Sequence, residues 1–182
     1  MKVKASLHLH SSEDFKDHSI IDYSAYQLID RAHSLGFSFL SLTGHEKNIF
    51  NEDLQEYALS RGIILIPGFE ANIERKHILL LNCNLINDDD LKNLDDLKKL
   101  KLKNPEIFIM APHPNHGLFV SLGLKKLEKF KFLFDGVEHS WYYTDFFNPN
   151  LKVKKVADRL SLSFIATSDL HDLRYLGSDY IE

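Results

Sequence analysis

With 182 residues, 44% hydrophobic and 26% charged, the chain has the composition of an ordinary globular domain, which excludes fibrous and disordered classes. That length suits one core and is short for two, so a single domain over residues 1–182 is expected. Lys and Arg at 22 against Asp and Glu at 26 leave a net charge of -4, which provides no basic footprint for stable nucleic-acid binding. The one cysteine, Cys83, excludes an internal disulfide. The opening MKVKASLHLH has no signal-peptide core and no apolar span, so a cytoplasmic protein without membrane contact is expected.

In chain order, Val3 to Leu9 alternates and then stops in a polar stretch, predicting a first strand that ends at His8 and His10. Ser24 is the predicted N-cap of a helix with Leu28, Ile29, Ala32 and Leu35 on one stripe and Gly36 as its stop. Phe37 to Thr43 predicts the second strand, Glu52 to Arg61 a helix ended by Gly62, Ile63 to Pro67 a third strand and His77 to Asn82 a fourth. Residues 88–103 place acids early and lysines late, which predicts a solvated helix aligned with its own dipole. Ile107 to Ala111 then reads as a fifth strand, Leu122 to Phe132 as a helix and DGVEH as the lead into a sixth strand. Asn150 to Leu160 reads as a helix and Ser163 to Thr167 as a seventh strand. Strand and helix alternate with a repeat of roughly 25 residues, the pattern of parallel strands joined by right-handed crossovers.

Histidine is the compositional outlier, with 10 residues scattered along the chain. Polar groups recur at the C-terminal ends of the predicted strands, where a β/α barrel opens. His8 and His10 follow the first strand, His45 the second, Glu70 the third, His113 the fifth, Glu138 and His139 the sixth, and Asp169 and His171 the seventh. His77 begins the fourth strand and rejoins the others if the third and fourth strands form a hairpin. His8 and His10 share a face because side chains on a strand alternate, and the same holds for Asp169 and His171. One such pair alone is more often structural than metal-binding; the joint pattern reverses that. Imidazole with carboxylate suits Zn, Mn or Fe, whereas thiolate sites need cysteines that the chain lacks.

The segments LHLHSSED, LTGH, PGFEAN followed by HILLLN, APHP and TSDLH, in this order, resemble the polymerase and histidinol phosphatase (PHP) family over nearly the whole chain. The resemblance implies an α/β fold, a distorted seven-stranded TIM-like barrel, holding two or three divalent ions (Mn, Zn or Fe) and hydrolysing phosphoesters. It makes His8, His10, His45, Glu70, His77, His113, Asp169 and His171 metal ligands, with Glu70 as the bridge and Glu70, His10 and Asp169 nearest the chemistry. The family's acid after the second histidine has two counterparts here, Asp14 and Asp17, with Asp17 preferred. Its Thr-Asp-His appears as Thr43-Gly44-His45, one carboxylate short.

The expected partner is a small phosphorylated molecule, a monoester or small diester, attacked by metal-activated hydroxide. Arg174 and Arg75 are candidates for holding phosphate oxygens, and His116 and His139 for touching substrate. Rival readings are an amidohydrolase, disfavoured because no lysine ends a central strand, a TatD-like nuclease, and a non-catalytic metal-binding or regulatory domain.

Overall fold

The computed structural model describes residues 3–85, 87–117, 119–144 and 146–182. Helix starts follow their caps. The Ser24 side chain accepts from the Gln27 N–H and the Gln27 side chain accepts from the Ser24 N–H, a capping box that opens α1 (Ala25–Ser34) and turns Leu28, Ile29 and Ala32 inward. Asn51 caps α2 (Glu52–Ser60). Asn93 accepts from the N–H groups of Asp95 and Asp96, so α3 (Leu94–Lys103) starts there and residues 88–93 stay outside the helix expected over 88–103. The helix α4 (Leu124–Lys129) is also shorter than expected and passes into a 3-10 turn at Lys131–Leu133. The helix α5 (Asn150–Leu160) matches the sequence reading.

The described residues form eight strands where seven are expected: β1 (Ala5–Leu9), β2 (Phe39–Leu42), β3 (Ile64–Leu65), β4 (Gly68–Ile73), β5 (Lys76–Leu81), β6 (Phe108–Ala111), β7 (Gly136–His139) and β8 (Ser163–Ala166). The difference lies in GFEANI, which reads as a connection in the sequence but is the strand β4. It pairs antiparallel with β5 along its whole length, from Gly68 opposite Leu81 to Ile73 opposite Lys76. The turn between them places Glu74 and Arg75 at φ 51° and 61°, the left-handed pair that matches the twist of a tight hairpin. The hairpin therefore joins β4 to β5, and IILIP contributes only the two residues of β3. Gly68 is required at the start of β4, since a Cβ there would lie 2.4 Å from the Leu80 carbonyl oxygen.

The strands form two sheets, β1-β2-β3 and β4-β5-β6-β7-β8. The first is parallel; in the second, β5 runs antiparallel to both neighbours while β6, β7 and β8 are parallel, so the all-parallel expectation fails at the hairpin strand. The sheets meet at two margins. At one, the Glu70 N–H donates to the Gly44 carbonyl (3.0 Å) and the Glu46 N–H donates to the Glu70 carbonyl (2.8 Å). At the other, the His10 N–H donates to the Leu170 carbonyl (3.2 Å) and the Leu170 N–H donates to the His8 carbonyl (3.3 Å). Each sheet packs its own apolar cluster, one around Leu9, Leu28, Leu40 and Ile63 and the other around Phe69, Ile78, Leu80, Ile109 and Val137. Among the described residues, no helix is long and apolar enough to cross a membrane.

Phe69 and Glu70 point to opposite faces of β4, the first into the core and the second into the polar cluster described below. Phe69→Ala should cost about 3–5 kcal/mol in a denaturant titration of metal-free protein. Ser24→Ala, which removes only the cap, should cost about 1 kcal/mol.

Candidate metal centre

Glu70 lies at the middle of the polar residues, fully buried on β4 beside the join between the sheets. Its Oε1 is 2.9 Å from His77 Nδ1, 3.3 Å from His113 Nε2 and 3.7 Å from His8 Nε2. Its Oε2 is 3.1 Å from His45 Nε2 and 3.8 Å from His10 Nε2. The antiparallel β4–β5 pairing makes this geometry, because it sets His77 at the start of β5 directly across from Asn72. Asp169, just beyond β8, puts Oδ1 3.3 Å from His8 Nε2 and 3.4 Å from His10 Nε2. Asp17 Oδ2 lies 3.2 Å from both His171 Nε2 and His45 Nδ1. His113 and Asp169 adopt positive φ, 29° and 44°, backbone turns that non-glycine residues keep only where their surroundings fix them.

Most of these imidazoles have a braced Nδ1, which leaves Nε2 as the free donor atom. His8 Nδ1 lies 2.8 Å from Glu138 Oε1, and Glu138 also accepts from the His113 N–H (2.5 Å) and from the Thr167 hydroxyl. His171 Nδ1 lies 2.9 Å from the Asp169 carbonyl. Asp14 Oδ2 serves two rings, 3.1 Å from His10 Nδ1 and 2.8 Å from His45 Nδ1, and accepts the His45 N–H at 2.8 Å. The other Asp14 oxygen accepts the Lys16 N–H. Asp14 Oδ2 would lie 3.7 Å from a Cβ at Gly44, so the carboxylate missing from Thr43-Gly44-His45 reaches His45 from the loop after β1 instead.

The two acids left open by the sequence thus differ. Asp14 is saturated with N–H donors, whereas Asp17 Oδ2 is buried with no hydrogen-bond partner, as are Nε2 of His8 and Nε2 of His10. Buried polar atoms without partners are rare in folded proteins, and these three have lone pairs free to ligate an ion. Among the described residues, four overlapping sets have donor atoms within 4.8 Å of one another: His10, Asp14, Asp17 and His45; His8, His10 and Glu70; His10, Asp169 and His171; His45, Glu70 and His77. His113 joins through Glu70 and falls outside these four sets. Unpartnered imidazole nitrogens with buried carboxylates fit borderline divalent ions.

A cavity of about 440 Å³ opens over the cluster, walled by His77, His113, His116, Trp141 and Tyr142 among others. His116 stacks on His113 with ring centroids 5.8 Å apart and lies 5.1 Å from the Tyr142 ring. The other sequence candidates for substrate contact lie elsewhere. His139 is not among the described residues lining this cavity; its Nδ1 is 3.7 Å from Asp179. Arg75 occupies the β4–β5 turn, and the exposed Arg174 guanidinium pairs with Asp172, so neither arginine reaches this wall. Glu138 is the residue whose part sequence reasoning missed. Its place at a strand end was visible, but its partner His8 is 130 residues away in the chain.

The carboxylates and imidazoles hold one another's charges. Burial alone would depress the His8 imidazolium, yet Asp169, Glu138 and Glu70 raise it well above its ordinary value. Against the same burial, the carboxylates of Asp14, Asp17 and Glu70 push His45 up to about 12, and His113 and His171 also rise. Burial would raise Asp14, Asp17, Glu70 and Asp169, but the surrounding histidines hold all four below the usual carboxylate range. Raised histidines contribute stability below their unfolded pKa of about 6.5 and lose it as pH climbs through the folded value; depressed carboxylates contribute above about 4 and lose it on acidification. The melting temperature of chelator-treated protein should therefore peak between about pH 4 and 6.5 and decline toward pH 9. Ions must displace those histidine protons, so the rise in melting temperature on adding Zn or Mn should grow with pH. A metal-induced rise independent of pH would contradict the histidine assignment.

No described protein family and no curated protein matches the sequence. Solved structures do match the fold. A two-domain protein from Bacteroides vulgatus containing a predicted PHP-like metal-dependent phosphoesterase superposes with a TM-score of 0.68 at 19% identity; the match covers 100% of this chain and 57% of that one. The chain thus spans little more than half the length of that protein. An amidohydrolase from Chromobacterium violaceum, solved with bound sulfate and no metal, gives a TM-score of 0.66 at 15% identity, covering 98% and 90% of the two chains. A candidate metal-dependent phosphoesterase from Bifidobacterium adolescentis gives 0.66 at 13% identity, covering 92% and 87%. At these identities the likeness is one of fold, a mixed α/β architecture that the PHP-like protein and the amidohydrolase both share.

Proposed function

We propose that the chain is a PHP-type metal-dependent phosphoesterase whose two sheets are the walls of one distorted β/α barrel. The observation that carries this reading is Glu70: a buried carboxylate whose two oxygens address different histidines, as a bridge between neighbouring ions would. The distances divide the donors into three groups. His8, His10 and Asp169 meet on one side of Glu70, His45, His77 and His113 on another, while Asp17 and His171 converge at the cavity wall. In this reading Asp17 is the ligand and Asp14 the support that orients His10 and His45.

Divalent ions such as Mn, Zn or Fe would supply acidified water, with a pKa near about 7, and offset the charge on phosphoryl oxygens. The chain's own residues do the rest. Asp14 and Glu138 fix imidazole tautomers, His116 and Tyr142 face the incoming ester, and Val120 and Trp141 narrow the cavity against bulk water. The described residues lining the cavity include no lysine or arginine, so the anionic ester would be held at the centre itself rather than by Arg75 or Arg174.

The amidohydrolase reading has a structural neighbour, but the sulfate bound by that neighbour has the shape of a phosphoryl group, and the bridging position here holds Glu70 in place of a lysine. A purely regulatory metal site would not need the cavity above the donors.

Protein stripped with chelator and reloaded with Mn or Zn should cleave chromogenic phosphomonoesters or small diesters, and His10→Ala and Asp169→Ala should abolish this without unfolding the chain. Full activity in both variants would sink the assignment. Bound metal, measured by elemental analysis, should fall by about one ion per chain in Asp17→Asn. Asp14→Asn should keep the stoichiometry while weakening affinity by roughly 10- to 100-fold.

A further inference from the structure

A second cavity of about 780 Å³ adjoins the metal centre, and Trp141, Asp169 and His171 belong to the walls of both. An ester whose phosphoryl group sits among the donors would pass its remaining part across Trp141 into this space. Three aromatic side chains stand there half-exposed, Trp141, Tyr143 and Tyr175. The Ser168 hydroxyl on the same wall is buried and has no hydrogen-bond partner, although Ser168 itself is only 5% exposed. Besides Asp169, two further carboxylates line it, Asp172, which pairs with Arg174, and Asp179, and the described lining includes no lysine or arginine. His139 stands behind this wall, edge-on to Tyr143 at 5.4 Å and 3.7 Å from Asp179.

We propose that this cavity is the leaving-group subsite and that it selects esters of alcohols bearing an aromatic ring and no second anionic group. The inference rests on the phosphoesterase reading and names its substrate class. The size suits a ring-bearing small molecule. Aromatic side chains favour offset or edge-on contact with another ring, and the Ser168 hydroxyl and the Asp179 carboxylate offer polar partners to donors on its rim. A second phosphate or carboxylate would meet Asp172 and Asp179 with only Arg174 in compensation. In the reaction water adds to phosphorus, the P–O bond to the ring-bearing alcohol breaks, and that oxygen leaves with a proton as the free alcohol.

Trp141 is the only tryptophan, so its emission reports occupancy without turnover. Zn-loaded full chain titrated with phenylphosphonate should half-saturate at a concentration about tenfold lower than with methylphosphonate. 3-Phosphonopropionate, which carries an extra carboxylate, should bind no better than methylphosphonate. Tyr175 is 62% exposed, so Tyr175→Ala should fold normally while cutting the phenyl preference to about threefold or less. Equal binding of phenyl and methyl probes, or tightest binding of the doubly anionic one, would overturn the subsite. Turnover of phosphoesters without any preference for aromatic alcohols would overturn the subsite and leave the phosphoesterase reading standing. Phenyl preference in binding with no cleavage of any phosphoester would overturn the phosphoesterase reading instead.

Discussion

A carboxylate removed from water costs several kcal/mol unless opposite charges and donors surround it, and Glu70 sits at almost zero exposure. Its surroundings were built by two separate sets of bonds. The peptide groups of Glu70 join the sheets through Gly44 and Glu46, while its side chain gathers His45, His77 and His113. The same residue is therefore a seam in the fold and the hub of the polar cluster. Displacing β4 by one residue would turn Phe69 toward the histidines and Glu70 into the apolar core, so register here fixes stability and chemistry together.

Around that hub the second layer is as specific as the first. Glu138, Asp14 and the Asp169 carbonyl each take an Nδ1, and in doing so decide which nitrogen each ring presents. Asp14 is notable because it does for His45 what a carboxylate at position 44 would do, from a different loop. A site can keep its electrostatics while changing the chain segment that supplies a charge, which a motif read position by position does not capture.

The donors themselves were legible because strand periodicity and strand ends are local. His8 and His10 at the end of β1, His45 after β2 and Asp169 and His171 after β8 stand at the strand ends as expected. Asp169, however, lies past β8 at positive φ, so a turn rather than strand alternation brings it beside His171. What was not legible depends on how the chain folds back on itself around each residue. GFEANI sets Phe69, Ala71 and Ile73 on one face and Glu70 and Asn72 on the other, but with a charge and an amide at its centre and an apolar run on either side it reads as a connection. Pairing with β5 makes it a strand whose polar face is buried against the histidines. The choice between Asp14 and Asp17 turns on backbone donors that the folded loop supplies, and the place of Arg174 turns on its neighbour Asp172. The start of α3 was missed for a different reason: residues 88–93 carry helix-compatible charges, but the side chain of Asn93 competes locally for the N–H groups of Asp95 and Asp96.

The margin at Leu9 and Leu170 closes almost the entire chain on itself, and Ala5 with Ile181 closes it a second time. Joining segments so far apart is the slow, entropically costly part of reaching a native topology. In a chain whose only cysteine is buried and alone, no covalent staple can hold that closure. Ions shared by His8, His10 and Asp169 would act as a reversible clasp across it, stabilising the closed native chain because only that chain assembles the three donors, while remaining responsive to chelation and acidity. Resistance to proteolysis near either end of the chain would then report whether the clasp is fastened, without reference to catalysis.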